Sequence, residues 1–405
     1  MTSTAEPDLP LHYPFPLGET GALPPLTRWA QRAKPVCPVR LPSGVTGWML
    51  TRKDDVAKVF ADNRFSRNLA EPGSPRMVGD DLTSVDDAIF NLDPPEHSRV
   101  RQVLSGWFSR RAVQRHRPLV ARHVNRLLDA MADGPNPVDL IESYSAVLPL
   151  DAMGELMGVP AELAQECRRT YPMTLDMSST PEAVATETDA AKRFITKLIA
   201  AHRADPVPGS PVHMLLAARA DGVISESELF GTVFLIFVTS FDPLVAPLAT
   251  GPMILMLHRW QLRQCLAEPA LWPKAVEEVL RYFHNGGMGF PRIAREDVEV
   301  HGTLIRRGDA VVVPMQAVTW DPLHYARPER FDIHRETDGS ATFGAGPHYC
   351  LGSQLARVVL QEAISGLFTR FPTLDLAVSE RELPWDPNRI FTRPMQLPVT
   401  WTGAP

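Results

Sequence analysis

One cysteine in this chain stands where a thiolate could bind a metal. Cys350 lies in the run Phe343-Gly344-Ala345-Gly346-Pro347-His348-Tyr349-Cys350-Leu351-Gly352, a glycine-rich loop that leads into a helix-like stretch at residues 353–360. The thiolate is the form of cysteine that coordinates metal. A cysteine at a helix N-terminus ionises readily, because unpaired backbone N–H groups and the helix dipole favour negative charge there. Gly344, Gly346 and Gly352 would let the backbone take positive φ and pass close to a large flat ligand. The other cysteines, Cys37, Cys167 and Cys265, form no CxxC pair, so the pattern indicates neither a zinc site nor a disulfide framework. They read as buried apolar filler.

Around that loop the chain must supply the elements that hold it. Val45 to Thr51 reads as a strand and Lys53 to Phe60 as a helix. Residues 68–87 mix Gly, Pro, Ser and Asp without periodicity and read as a long surface loop, of the length that is often functional. From Glu96 to Arg203 the pattern is mainly helical, with joints near Pro137, Pro160, Pro172 and Pro181. Ser225 to His258 reads as one long, strongly apolar helix for which central burial is the simple explanation. Short β-rich pieces follow at Val298–His301 and Ala310–Val313, and Gln396 to Trp401 reads as an edge strand. Proline, at 39 residues, concentrates near the ends, so about residues 1–25 should be irregular. No internal repeat and no dinucleotide-binding glycine fingerprint is found.

Composition narrows the class. The 405 residues are 44% hydrophobic and 22% charged, which provides for a core and speaks against wholesale disorder. A net charge of −6 argues against a nucleic-acid binder that relies on a global positive field. The N-terminus lacks the basic start and apolar core of a secretion signal, and no apolar run is read as approaching the length of a membrane span, so a cytoplasmic protein is expected.

The spacing Phe-Gly-x-Gly-x-His-x-Cys-x-Gly resembles the haem-binding loop of cytochromes P450, whose haem iron is held by a cysteine thiolate. The resemblance runs from about Tyr13 to Trp401. It implies a single domain over residues 1–405, mainly α with a smaller β-rich portion, in which a triangular helical prism surrounds a buried haem b. It makes Cys350 the iron ligand, within a loop that includes Phe343, Gly344 and Gly352. The propionate partners it implies are His97 and Arg101 in Pro94-Pro-Glu-His-Ser-Arg-Val-Arg101, Arg292, and His348. On a helix, positions 97 and 101 share a face. Glu278 and Arg281, three apart on one helix face, correspond to the Glu-x-x-Arg motif of the family, a buried structural network for which Arg330 is the expected third partner. The basic cluster Arg110, Arg111, Arg115, His116 and Arg117 reads equally as a solvated helix face or as the docking surface of a small acidic electron donor.

One stretch departs from the family. Its long central helix carries Ala/Gly-Gly-x-Asp/Glu-Thr, where the acid and the alcohol help deliver protons during dioxygen activation. Here the aligned residues are Thr239-Ser240-Phe241-Asp242-Pro243: the acid stays and the alcohol is proline. Pro243 cannot donate to the Thr239 carbonyl and should bend or open the helix. Three readings of oxygen activation follow. Thr239 or Ser240 with ordered water replaces the hydroxyl, the substrate brings its own, or peroxide replaces dioxygen and electrons. Fatty-acid peroxygenases of the family have Arg-Pro where this chain has Asp242-Pro243. An aspartate repels a fatty acid carboxylate and would instead hold an amine or guanidine. Other pocket positions implied are residues 76–79, Phe241, residues 285–290 with Met288 and Phe290, and Phe391.

The expected function is oxidation of a bulky secondary metabolite, of aromatic peptide or polyketide type, with dioxygen and electrons from ferredoxin and ferredoxin reductase. A monomer without nucleic-acid or membrane partners is expected. Oxidative aryl coupling without oxygen insertion is the first alternative. A peroxide-driven peroxygenase, a non-catalytic haem-thiolate sensor and a cofactor-free helical scaffold are the others.

Overall fold

The structure, a computed structural model, describes residues 7–15, 22–70, 74–75, 85–170, 179–283, 291–337, 341–386 and 389–403. The chain opens with β1 (Leu11–His12), α1 (Pro25–Ala33), β2 (Val36–Arg40), β3 (Thr46–Leu50), α2 (Lys53–Ala61) and β4 (Phe65–Ser66). A helical run follows: α3 (Glu96–Ser105), α4 (Arg110–Val113), α5 (Arg117–Ala132), then after the short β5 (Val138–Asp139) come α6 (Val147–Met157), α7 (Ala161–Thr170), α8 (Pro181–Ala204) and α9 (Pro211–Ala220). The centre is α10 (Glu226–Thr239) and α11 (Asp242–Leu257), followed by α12 (Arg259–Ala267) and α13 (Trp272–Tyr282). Strands β6 (Arg292–Ala294), β7 (Val298–Val300), β8 (Thr303–Ile305) and β9 (Ala310–Val312) precede the short α14 (Met315–Thr319), the long α15 (Ser353–Arg370), β10 (Asp375–Leu376) and β11 (Pro398–Thr400). The expected mixture of mainly α with a smaller β portion is what the fold shows.

Six strands form one sheet in the order β1-β2-β3-β9-β6-β4, with β3 and β9 parallel and β6 antiparallel to both neighbours. The C-terminal strand expected at an edge is instead the middle of the three-stranded sheet β10-β11-β5. Its proline is tolerated there because Pro398 is the first residue of the strand, and its carbonyl still accepts from Ala377 N–H at 2.9 Å.

The apolar stretch expected as one helix is two. Ser240 closes α10 with its N–H on the Phe237 carbonyl at 3.1 Å, and Phe241 turns to φ −116°, ψ −78°. Pro243 then falls in the first turn of α11, where a missing N–H costs nothing and the fixed φ suits a helix start. By length and composition Glu226–Leu257 would suffice to cross a membrane, against the sequence reading, yet 72% of its most apolar window is buried inside the protein. The run is apolar on all sides because it is the core.

Two prolines lie inside α11, and each removes a helical donor. Pro252 cannot reach the carbonyl of Leu248, and the hydroxyl of fully buried Ser145 donates to it instead, at 3.0 Å. Helix α11 packs closely on α13 and α15: a methyl at Gly251 would lie 2.9 Å from Ile364 and 3.1 Å from Val279. Ser145→Ala strands a buried carbonyl, and chemical denaturation should show a loss of about 1–3 kcal/mol.

Candidate active site

The cysteine loop is fixed from both ends. Cys350 N–H donates to the Phe343 carbonyl at 2.9 Å, Tyr349 N–H to Gly346 at 3.0 Å, and Gly352 caps α15. Gly344 and Gly346 adopt the expected positive φ, +79° and +69°, whereas Gly352 lies at φ −80° and needs no glycine-specific backbone. Gly346 has a further reason to be glycine: a Cβ there would stand 2.1 Å from the Phe60 carbonyl oxygen, so the loop is pressed onto the end of α2.

Cys350 keeps open surface, yet enough protein surrounds its sulfur that burial raises its thiol pKa. Backbone N–H groups of Gly352 and Ser353 and the guanidiniums of Arg101 and Arg357 act the other way. Burial outweighs them, so the sulfur would ionise on binding a cation, with these donors supporting the charge it then carries. Arg357, which the sequence reading passed over, pairs with Glu277 and lies 4.4 Å above the Phe343 ring.

His97, Arg101, Arg292 and His348 come together as expected. The rings of His97 and His348 are 4.1 Å apart, and Arg101 donates to the Tyr349 carbonyl at 2.6 Å. Arg292, on the sheet strand β6, is buried with its guanidinium 4.2 Å above the Phe60 ring. Arg67 joins them unannounced. It is buried, lies 3.7 Å above the Phe90 ring, and repels Arg292 and His348 electrostatically. Neither periodicity nor a motif marks Phe65-Ser-Arg67, so only the fold reveals it.

The arginines among these groups carry a surplus of buried positive charge, and the histidines add neutral donors. Burial, with Arg101 second, pushes the His97 pKa down to about 4; burial takes Arg292 to about 10 and drives His348 and Arg67 strongly down. Asp93 is the carboxylate that offsets His97, Arg292 and Arg67. Among the described residues, Arg292 Nε, His97 Nδ1 and His348 Nε2 are buried without a hydrogen-bond partner. Buried cations with unmet donors fit a dianion, and a haem offers two propionates with an iron for the nearby sulfur. The residues present fit that group.

Behind the loop, Glu278 and Arg281 form the expected buried pair, with Nε–Oε2 and Nη2–Oε1 at 2.7 and 2.8 Å. Their third partner is Arg335 rather than Arg330. Arg335 Nε donates to Glu278 at 3.2 Å, while the Arg330 side chain is exposed and only its carbonyl takes part, accepting from Arg281 and Arg335. A stretch as compact as 326–335 ties itself by carbonyls, and residue type does not disclose carbonyl roles.

On the other side of the core the hydroxyls of Thr239 and Ser240 donate to the carbonyls of Leu235 and Ile236 in their own helix, so both protons are engaged. Asp242, at the start of α11, faces Arg393, with Oδ1 and Nη2 3.6 Å apart. The sequence reading gave Asp242 the capacity to hold an amine or a guanidine of a ligand; here the chain places a guanidinium of its own beside it. Phe241 is buried against Phe237 at 5.6 Å, and Phe391 is half-buried. Met288 and Phe290, with residues 76–79 and 285–289, lie outside the described residues.

Comparison with known proteins agrees with this geometry. The family model named Cytochrome P450 matches residues 263–396. Nocardicin C N-oxygenase of Nocardia uniformis subsp. tsuyamanensis is 34% identical over 96% of this chain and 98% of its own. Mycinamicin IV hydroxylase/epoxidase of Micromonospora griseorubida is 32% identical over 92% and 94%. Among solved structures, the candidate thioether synthase SgvP, involved in the tailoring step of griseoviridin, superposes with a TM-score of 0.90 at 31% identity, covering 96% of this chain and 99% of that one. A cysteine at a helix start, beside buried cations and within this fold, defines a haem-thiolate enzyme that uses dioxygen. The chain belongs to the cytochrome P450 family of monooxygenases, among bacterial members that act in secondary metabolism. That membership sets aside the sensor and scaffold readings.

Two outcomes test the site. Removing Arg335 takes one donor from buried Glu278 and one each from the Ala326 and Arg327 carbonyls, so Arg335→Ala should cost about 1–3 kcal/mol in denaturant unfolding. Arg330→Ala should stay within about 0.5 kcal/mol. In haem-free protein, His97 resists protonation until about pH 4, whereas an imidazole in the unfolded chain takes its proton near ~6.5. Between these values the unfolded chain binds more protons, so stability is lost as the pH is lowered through that window and levels off below it. Against His97→Asn the wild type should lose up to about 3 kcal/mol more across that range, read from urea midpoints.

Proposed function

We propose that this enzyme hydroxylates a bulky secondary metabolite of aromatic peptide or polyketide type, with electrons from ferredoxin and ferredoxin reductase, on a haem b ligated by Cys350. The reading keeps the chain a cytoplasmic monomer and one domain. The observation that carries it is the pairing of two poles: Cys350 at the start of α15 beside the buried cations, and the Asp242 carboxylate kept at the α10–α11 break. The bound haem supplies the oxidising chemistry, with thiolate donation favouring O–O cleavage, a push established for the family as a whole. The names of the two curated relatives, a hydroxylase/epoxidase and an N-oxygenase, support oxygen insertion.

The chain's own residues divide the work. Backbone N–H groups of Gly352 and Ser353 support negative charge on the Cys350 sulfur. Arg67, Arg101, Arg292, His97 and His348 would hold the propionates. Asp242 holds and releases a proton on the distal side. Because the Thr239 and Ser240 hydroxyls are already donating, they can only accept from a water there, and the Thr239 carbonyl adds an acceptor that Pro243 leaves without its helical donor. An ordered water in place of the missing alcohol is the relay this arrangement supports.

The exposed Arg110, Arg111 and Arg115 lie on and beside α4, which packs on α15, while Arg117 is tied to Glu362 and Gln361. A basic face packed against the helix that follows Cys350 suits an acidic ferredoxin and would act mainly on association rate.

One observation favours a second reading. Proline at position 243 removes the alcohol, and oxidative aryl coupling retains no oxygen atom in the product. Mass spectrometry of turnovers with metabolites from the native gene neighbourhood, run with a ferredoxin system and separately with peroxide, separates them. The expected product gains one oxygen with ferredoxin; loss of two hydrogens assigns coupling, and activity with peroxide alone assigns the peroxygenase.

A further inference from the structure

Asp242 and Arg393 are an ion pair that does not close. Their side chains are 15% and 11% exposed, and their nearest charged atoms stand 3.6 Å apart, beyond hydrogen-bond reach. Among the described residues, neither Asp242 Oδ2 nor Arg393 Nε, both buried, has a hydrogen-bond partner. A pair serving only stability would satisfy these atoms, since each unmet buried polar atom costs about 1–3 kcal/mol. Arg393 is firmly seated: the next residue, Pro394, bridges to Trp385, Met395 N–H donates to the Pro384 carbonyl at 2.7 Å, and Leu397 N–H donates to Asp139 at 3.0 Å. The carboxylate is equally constrained, since it begins α11 directly after the break.

We propose that Arg393 is the positioning residue of Asp242: the C-terminal segment holds a guanidinium against the distal carboxylate in the place where Pro243 has removed the alcohol, and so fixes the orientation and charge of that acid. The inference rests on the reading of Asp242 as the distal proton carrier. Burial raises the Asp242 pKa, while Arg393 first and Arg389 second hold it back. These two are the charged groups that act on it among the described residues. Asp139 faces Arg393, and Asp386 lies 3.7 Å from Arg389.

The test is an infrared titration of the haem-loaded enzyme, in which the carboxylic acid C=O band lost in Asp242→Asn reports the protonation midpoint of Asp242. Arg393→Gln should move that midpoint up by about one pH unit or more, with the matching limb of the pH–rate profile moving in the same direction. Arg393→Lys, which keeps the charge but not the fork or the reach, should shift it less and in the same sense. An Arg393→Gln midpoint equal to that of the wild type overturns the proposal. Should that variant fail to load haem, Arg393→Lys decides: an upward shift supports the proposal and an unchanged midpoint overturns it. Failure of the functional reading looks different, because Asp242→Asn would then turn over normally while the Arg393 variants still moved the infrared midpoint.

Discussion

Much of the proximal half hangs on a single carboxylate. Glu278 is almost wholly buried and accepts from the Arg281 fork, from Arg335 and from the Asp332 N–H. Arg281 in turn ties down the carbonyls of Thr319, Pro328 and Arg330. Between α14 and the cysteine loop, the described residues 320–337 form no helix or strand, so their path is set by these polar ties rather than by a ladder of their own. Charged groups this deep repay their desolvation only when every lone pair and proton is met, and here the backbone carbonyls of an irregular stretch complete the set. Helix α13, which carries the pair, packs directly on α15, so the knot and the sulfur share one frame.

The proximal site itself is an arrangement of opposite preferences. Burial disfavours an ionised sulfur and ionised arginines alike, yet both kinds of group converge on the same region. Only a bound species that is anionic at its rim and cationic at its centre answers both. Haem has that charge pattern, with propionates at one edge and iron in the middle. The site therefore selects its cofactor by the distribution of charge as much as by shape.

What the amino-acid order discloses follows the physics of each contact. The cysteine loop was legible because its glycines, His348 and Cys350 are adjacent in the chain, and His97 with Arg101 because helical periodicity puts them on one face. The divided central helix was half legible: Pro243 announced a disturbance, but proline reads alike as a kink inside one helix and as the first turn of the next. Arg67, Arg335 and Arg393 were not legible, because each acts across a long sequence separation on a partner that no local pattern names. Arg330 was mistaken for Arg335 since only four residues of irregular chain lie between them, and side chain and carbonyl contributions to one knot are indistinguishable in the sequence. The edge position expected of Pro398 failed because a first-residue proline needs no free edge.

Gly346 bears on whether the ligand loop is a separable part. The loop reaches the sulfur by lying against the Phe60 carbonyl with no space for even a methyl group, and the Phe60 ring lies beneath Arg292. Residues 343–352 are thus one half of an interlocking surface whose other half is the end of α2, nearly three hundred positions earlier. Grafted onto a foreign scaffold, the loop would keep its cysteine and lose the mould that shapes it. Modularity in this protein belongs to the matched pair, and exchange between relatives has to carry both halves together.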